Sequence, residues 1–166
     1  MALNSAKFSS DRRYRYWLLS TMLPGAGTMA VIGLNPSTAD ENQDDPTVRK
    51  CKSWAQRLGF GRLLMLNMYA WRATDPQEMW AAHRRGADIV GGPANFLLSL
   101  QEYCVRFEAR RIIAAWGKDK LQRSRLLAAG TWELDCLKKN GDGSPSHPLY
   151  LPYSLIPRPW NYEAPK

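Results

Sequence analysis

Three short apolar runs constrain this chain more than anything else in it: residues 28–34 (TMAVIGL), 62–69 (RLLMLNMY) and 111–116 (RIIAAW). Apolar runs of that length, bounded by glycine, proline or polar turn residues, read as buried strands. The segments between them carry helical signals. Asp45-Pro46 pairs an N-cap with a proline at the first helical position. Val48, Cys51, Trp54, Ala55 and Leu58 then recur at helical spacing until Gly59 and Gly61 end the helix. Asp75-Pro76-Gln77-Glu78 is a capping-box pattern for a second helix.

Gly92-Pro93 opens a longer helix over residues 94–109, and residues 118–129 form a fourth that Gly130 closes. Residues 14–19 (YRYWLL) read as a short strand, and 131–137 (TWELDCL) alternate like a strand with one wet face. The segment HPLYLP, 147–152, reads as a last extended piece, and the proline-rich stretch 152–166 as a tail packed over the surface. Strands alternating with helices imply a sheet covered on both faces. The expected fold is therefore α/β: one domain over residues 1–166, a three-layer α/β/α sandwich with a central, mainly parallel sheet of four or five strands.

Composition narrows the class further. The chain has 166 residues, of which 45% are hydrophobic and 23% charged, so it can build a core. Its net charge of +8 favours phosphate-bearing partners. The basic residues are spread along the chain and form no tail. No apolar run approaches a membrane span, and the N-terminal residues lack a secretory signal, so a cytoplasmic protein without membrane contact is expected. Cys51, Cys104 and Cys136 are an odd, scattered set, which argues against a disulfide framework and against a C-x-x-C metal site. No cofactor is expected, and nothing in the sequence specifies an oligomeric state.

Each chemically interesting segment follows the carboxyl end of an expected strand, the edge where open α/β sheets bind ligands. Gly33-Leu34-Asn35-Pro36-Ser37-Thr38 is either an Asn-Pro turn or a loop that brings backbone and an amide to a ligand. Asn67 is polar within an apolar run; its amide either bonds a neighbouring loop or faces a ligand. Tyr69 and Trp71 are either core or base-stacking residues. Trp116-Gly117-Lys118 places a glycine at a strand-to-helix junction, which is either tight packing or an anion site at a helix N-terminus. His147 is either an exposed loop histidine or a donor to a developing anion. Asp40, Glu41, Asp44 and Asp45 either hold a metal, supply a base, or form a solvated loop with Asp45 as a cap.

In order along the chain, GLNPST (33–38), LNMYAWRA (66–73), IIAAWGK (112–118) and SHPLYLP (146–152) resemble the motifs of the uracil-DNA glycosylase superfamily. The resemblance spans residues 28–152. More closely, NPSTAD, DDPT, RATDP, AAWG and HPLYL are similar to a bacterial and phage family catalogued as domain of unknown function 1643.

The glycosylase resemblance implies a site. Asn35 would position the attacking water, and Asn67 would bond the edge of a flipped pyrimidine. His147 would stabilise the departing base, and Tyr69 or Trp71 would stack on it. Gly33 would let the base approach the backbone, and Ser37, Arg72 and Lys118 would contact phosphate. It also implies DNA as partner and a modified or deaminated base as substrate. Ser37 stands where the amide-type members have glycine, and Leu149 stands where they have a phosphate-contacting serine. Two alternatives accompany this expectation: a non-catalytic binder of nucleotides or modified bases acting in phage–host conflict, and a metal-assisted enzyme on free nucleotides using Asp40, Asp44 and Asp45.

Overall fold

The central strands form where the chain is most apolar, and a computed structural model describes residues 3–161. Strand β1 covers Leu3–Phe8, β2 Arg15–Thr21 and β3 Thr28–Gly33. Helix α1 (Pro46–Arg57) leads to β4 (Arg62–Asn67) and then to α2 (Pro76–Arg84). A 3-10 turn at Pro93–Asn95 precedes α3 (Leu97–Arg106) and β5 (Ala109–Ala114). The short helix α4 (Ser124–Ala128), strand β6 (Asp135–Cys136), a 3-10 turn at Pro148–Tyr150 and strand β7 (Arg158–Pro159) complete the order.

The sheet runs β1-β2-β4-β3-β5-β6-β7. Strands β4, β3, β5 and β6 are mutually parallel, while β1, β2 and β7 join antiparallel at the two sides. The parallel register sets Gly33 opposite Asn67. Because side chains alternate across a strand, the sheet feeds two cores. Val48, Cys51 and Trp54 of α1 pack with Met29, Val31, Leu63 and Met65 on one face. Met79 and Trp80 of α2 and Leu100 and Tyr103 of α3 pack with Ala30, Ile32, Leu64 and Leu66 on the other. Each such aliphatic side chain, fully buried, contributes about 1.5–3 kcal/mol. Among the described residues no helix is long and apolar enough to cross a membrane.

The two aspartate caps form as the sequence predicts. Asp45 Oδ1 accepts from Val48 N at 2.9 Å and Asp75 Oδ1 accepts from Gln77 N at 2.9 Å. Elsewhere the structure departs from the expectation. Among the described residues the sheet has seven strands rather than four or five, and only its centre is parallel. Strand β1 has too few apolar residues to be read locally; its backbone pairing with β2 holds it. The helix expected over 118–129 shrinks to α4. Asp119 instead draws Leu121 N and Ser124 N into a turn at 3.2 and 2.8 Å, and Gln122 takes a left-handed φ of 56°.

The helix expected over 94–109 is likewise split, into the 3-10 turn at Pro93–Asn95 and α3. The strand expected over 131–137 shrinks to β6, and the extended piece expected at 147–152 contains the 3-10 turn capped by His147. The expected surface tail is partly structural. β7 pairs with β6, and the buried Trp160 meets Trp116 edge-on at 5.1 Å. Residues 162–166 of that tail lie outside the described residues.

Candidate functional site

Strands β3, β4 and β5 all end at one edge of the sheet, at Gly33, Asn67 and Ala114. A cleft of about 590 Å³ opens there, a size suited to a small ligand. Gly33, Asn35, Ser37, Asn67, Lys118 and His147 all line it. Segments separated by more than 100 residues are thus brought together, since β3, β4 and β5 end there and the loop carrying His147 lies at the same edge.

Asn67 is 3% exposed, and its Nδ2 is buried without a hydrogen-bond partner. A buried unsatisfied donor costs about 1–3 kcal/mol. Gly33 makes room for this amide, because a Cβ at position 33 would stand 2.9 Å from Asn67 Oδ1. Asn35 is half structural. Its Nδ2 donates to the carbonyls of Ala73 at 2.9 Å, Pro36 at 3.2 Å and Trp71 at 3.4 Å, so it ties its own loop to the segment after β4. That leaves Oδ1 as the atom of Asn35 able to accept from a water or a ligand.

His147 caps the 3-10 turn, and its Nδ1 accepts from Leu149 N at 3.3 Å. An accepting Nδ1 puts the neutral ring's proton on Nε2. Crowding by surrounding atoms lowers its pKa, an effect that the nearby Asp45 charge partly offsets. The ring nonetheless keeps an open side to solvent. At neutral pH it is therefore an uncharged Nε2–H donor.

The cleft walls carry three cations, Arg15, Lys118 and Lys120, against one carboxylate, Asp45. Lys118 is exposed and only 4.0 Å from Asp142, while Lys120 lies 5.4 Å from the Trp80 ring centroid. Ser37 Oγ faces Thr74 Oγ1 at 3.5 Å in the wall. Of the two readings of the Gly117 junction, the anion site at a helix N-terminus does not form. Gly117 takes a φ of 66° and donates its N–H to Pro145 O at 2.9 Å, and no helix begins there.

Three residues expected at the site lie outside the lining. Tyr69 is fully buried; its hydroxyl donates to Asp119 Oδ1 and its ring meets Trp80 edge-on at 5.3 Å. Trp71 forms a bridge with Tyr14 and meets that ring edge-on at 5.8 Å. Arg72 donates to Ser37 O at 3.4 Å and to Arg12 O at 3.1 Å, behind the wall. The aromatic residues that do line the cleft are Trp80, Trp116 and Tyr150.

The acidic loop is spent on structure. Asp40 Oδ1 receives Asn42 N and Gln43 N, both at 2.8 Å. Asp44 pairs with Lys52, and Glu41 with Arg12. Of these only Asp45 reaches the cleft, with its carboxylate held by Val48 N and Ala39 N. Among the described residues no group of three or more His, Cys, Asp or Glu could hold a metal.

Sequence reasoning missed Arg15, Trp80 and Trp116. Arg15 did leave a signal, since a charge inside the strand-like run YRYWLL is as anomalous as Asn67 in its own run. The fold and the cleft define an α/β protein with a cation-rich, ligand-sized site at the carboxyl edge of its parallel strands. The chain belongs to the family described as Protein of unknown function (DUF1643), whose model matches residues 15–149. No curated protein and no solved structure matches it.

Proposed function

We propose that this protein recognises a nucleobase in its cleft and hydrolyses the N-glycosidic bond of a modified or deaminated base in DNA, as a glycosylase of the uracil-DNA type. The two-faced helical covering of its sheet is then the α/β/α sandwich of that superfamily. One observation carries the reading: Asn67 lines the cleft, and its buried Nδ2 has no partner among the described residues. A flipped base offers a carbonyl edge that satisfies such a donor, and extracting the base from the stack is how enzymes reach it.

The other groups fit the same chemistry. The bond between C1′ and the base nitrogen breaks, the base leaves with the electron pair, and the oxygen of water adds to C1′. The water's proton passes to solvent or to the departing base. Asn35 Oδ1 orients that water. His147 Nε2–H donates to the base oxygen as negative charge develops, where a fixed donor away from bulk water stabilises the transition state. Trp80 and Trp116 contribute apolar surface to the walls. Lys118 and Lys120 at the rim supply the attraction to phosphate.

A second reading, a binder that does not turn over, draws on Asn35, whose amide nitrogen is committed to three backbone carbonyls. The test is base release from oligonucleotides containing uracil, xanthine or hydroxymethyluracil, single- and double-stranded. Release that Asn67→Ala and His147→Ala abolish is expected. Absence of release from every substrate, with saturable binding retained, would favour the second reading.

A further inference from the structure

Two residues that line the cleft, Asn67 and Arg15, each hold a buried side-chain nitrogen, Nδ2 and Nε, with no partner among the described residues. Both are donors, so a ligand that completes the site must bring acceptors. Arg15 opens β2 and is 2% exposed. Its Nη1 donates to Ala39 O at 2.8 Å, yet a guanidinium carries five N–H donors. Asp45 is its electrostatic neighbour. The oxygens of that carboxylate already receive Val48 N at 2.9 Å and Ala39 N at 3.4 Å. Burial draws the Arg15 pKa down to about 10, so the side chain stays a cation at neutral pH. A buried cation with unspent donors is costly unless something completes it.

We propose that Arg15 forms the floor of an oxyanion subsite in the cleft, so that the innermost group of the ligand is a carboxylate or a phosphate. The planar fork of a guanidinium matches both groups with two parallel hydrogen bonds. The subsite deepens the nucleobase reading, and rests on it only for the choice of carrier, a base or a nucleotide. Lys118 and Lys120 are the competing anion contacts, and their position at the rim makes them separable from Arg15 by substitution.

Calorimetric titration of the full chain tests this with five probes: inorganic phosphate, uracil, uracil-6-carboxylate, uridine and uridine 5′-monophosphate. The expected result is that one oxyanion-bearing probe binds about tenfold or more tighter than its neutral parent. A gain for uracil-6-carboxylate over uracil assigns a base-borne carboxylate; a gain for the monophosphate over uridine assigns a phosphate. The gain is lost in Arg15→Met, whereas the Lys118→Ala, Lys120→Ala double variant reduces it by less.

No gain in the wild type overturns the proposal. So does a gain that survives Arg15→Met, or one lost only with the two lysines. Should Arg15→Met fail to fold, Arg15→Lys replaces it: it keeps the charge without the fork and is expected to lose most of the gain, and an unchanged gain would overturn the proposal. Phosphate binding through Arg15 with no binding of uracil or uridine would overturn the nucleobase reading and leave the subsite standing. No probe requires turnover, so absence of base release does not affect the result.

Discussion

Gly33 and Asn67 are partners in the parallel register of β3 and β4, and a Cβ on Gly33 would stand 2.9 Å from the Asn67 side-chain oxygen. The end of one strand is therefore kept bare so that the end of its neighbour can hold an amide in the cleft. Gly33→Ala is expected to displace that amide. Its stability cost should stay near 1 kcal/mol, because one buried side chain shifts and no core volume is lost. Base binding, read by titration, should fall about tenfold or more. A variant with unchanged binding would show that the amide's position is immaterial.

Asn67 Nδ2 is a buried donor with no partner among the described residues. Asn67→Leu removes that donor and keeps the volume similar, so unfolding in urea should show stability within about 1 kcal/mol of wild type or above it. Ligand recognition should disappear in the same variant. Loss of both stability and binding would instead mark Asn67 as a structural residue.

His147 has a folded-state pKa below its ordinary value of 6.5, chiefly through desolvation. The unfolded chain then binds more protons than the folded one as the pH falls through that window. The contribution is present above pH 6.5 and is lost as the pH drops toward the lower folded value. Urea midpoints should decline over that range in wild type and decline less in His147→Gln. Base release should fall on the acid side of the folded-state pKa, because protonating Nδ1 breaks the bond from Leu149 N that orients the ring.

Tyr69 separates two roles by its hydroxyl. A stacking residue tolerates phenylalanine, whereas the structure has the hydroxyl donating to Asp119, which also gathers Leu121 N and Ser124 N. Tyr69→Phe should therefore lower stability by about 1–2 kcal/mol. The rim lysines flank Asp119, so the loosened turn should weaken phosphate affinity more than affinity for a free base.

Much of the centre of this fold was legible because its signals are local. Strands β3, β4 and β5 announce themselves as apolar runs, and α1 and α2 by the Asp-Pro pairs that cap them. Gly33, Asn35, Asn67, Lys118 and His147 converge because each follows a strand end or lies in a loop at that edge. The periphery was not legible, because its causes are tertiary. β1 and β7 exist through pairing with β2 and β6. The turn after Gly117 depends on Asp119 meeting a tyrosine fifty residues away in sequence. The residue types of Tyr69 and Trp71 left core packing and base stacking both open, and the resemblance alone implied stacking; packing with Trp80 and Tyr14 decides for the core.

The buried Trp160 bears on how the protein can be cut. The family match ends at residue 149, yet Trp160 donates its backbone N–H to Leu134 O at 2.7 Å and its indole N–H to Gly143 O at 3.1 Å. A chain trimmed to residues 15–149 would also lose β1. Trimming to residues 15–149 therefore strips both flanks of the sheet and exposes fresh strand edges, a recipe for aggregation. The matched span is shorter than the sheet it belongs to.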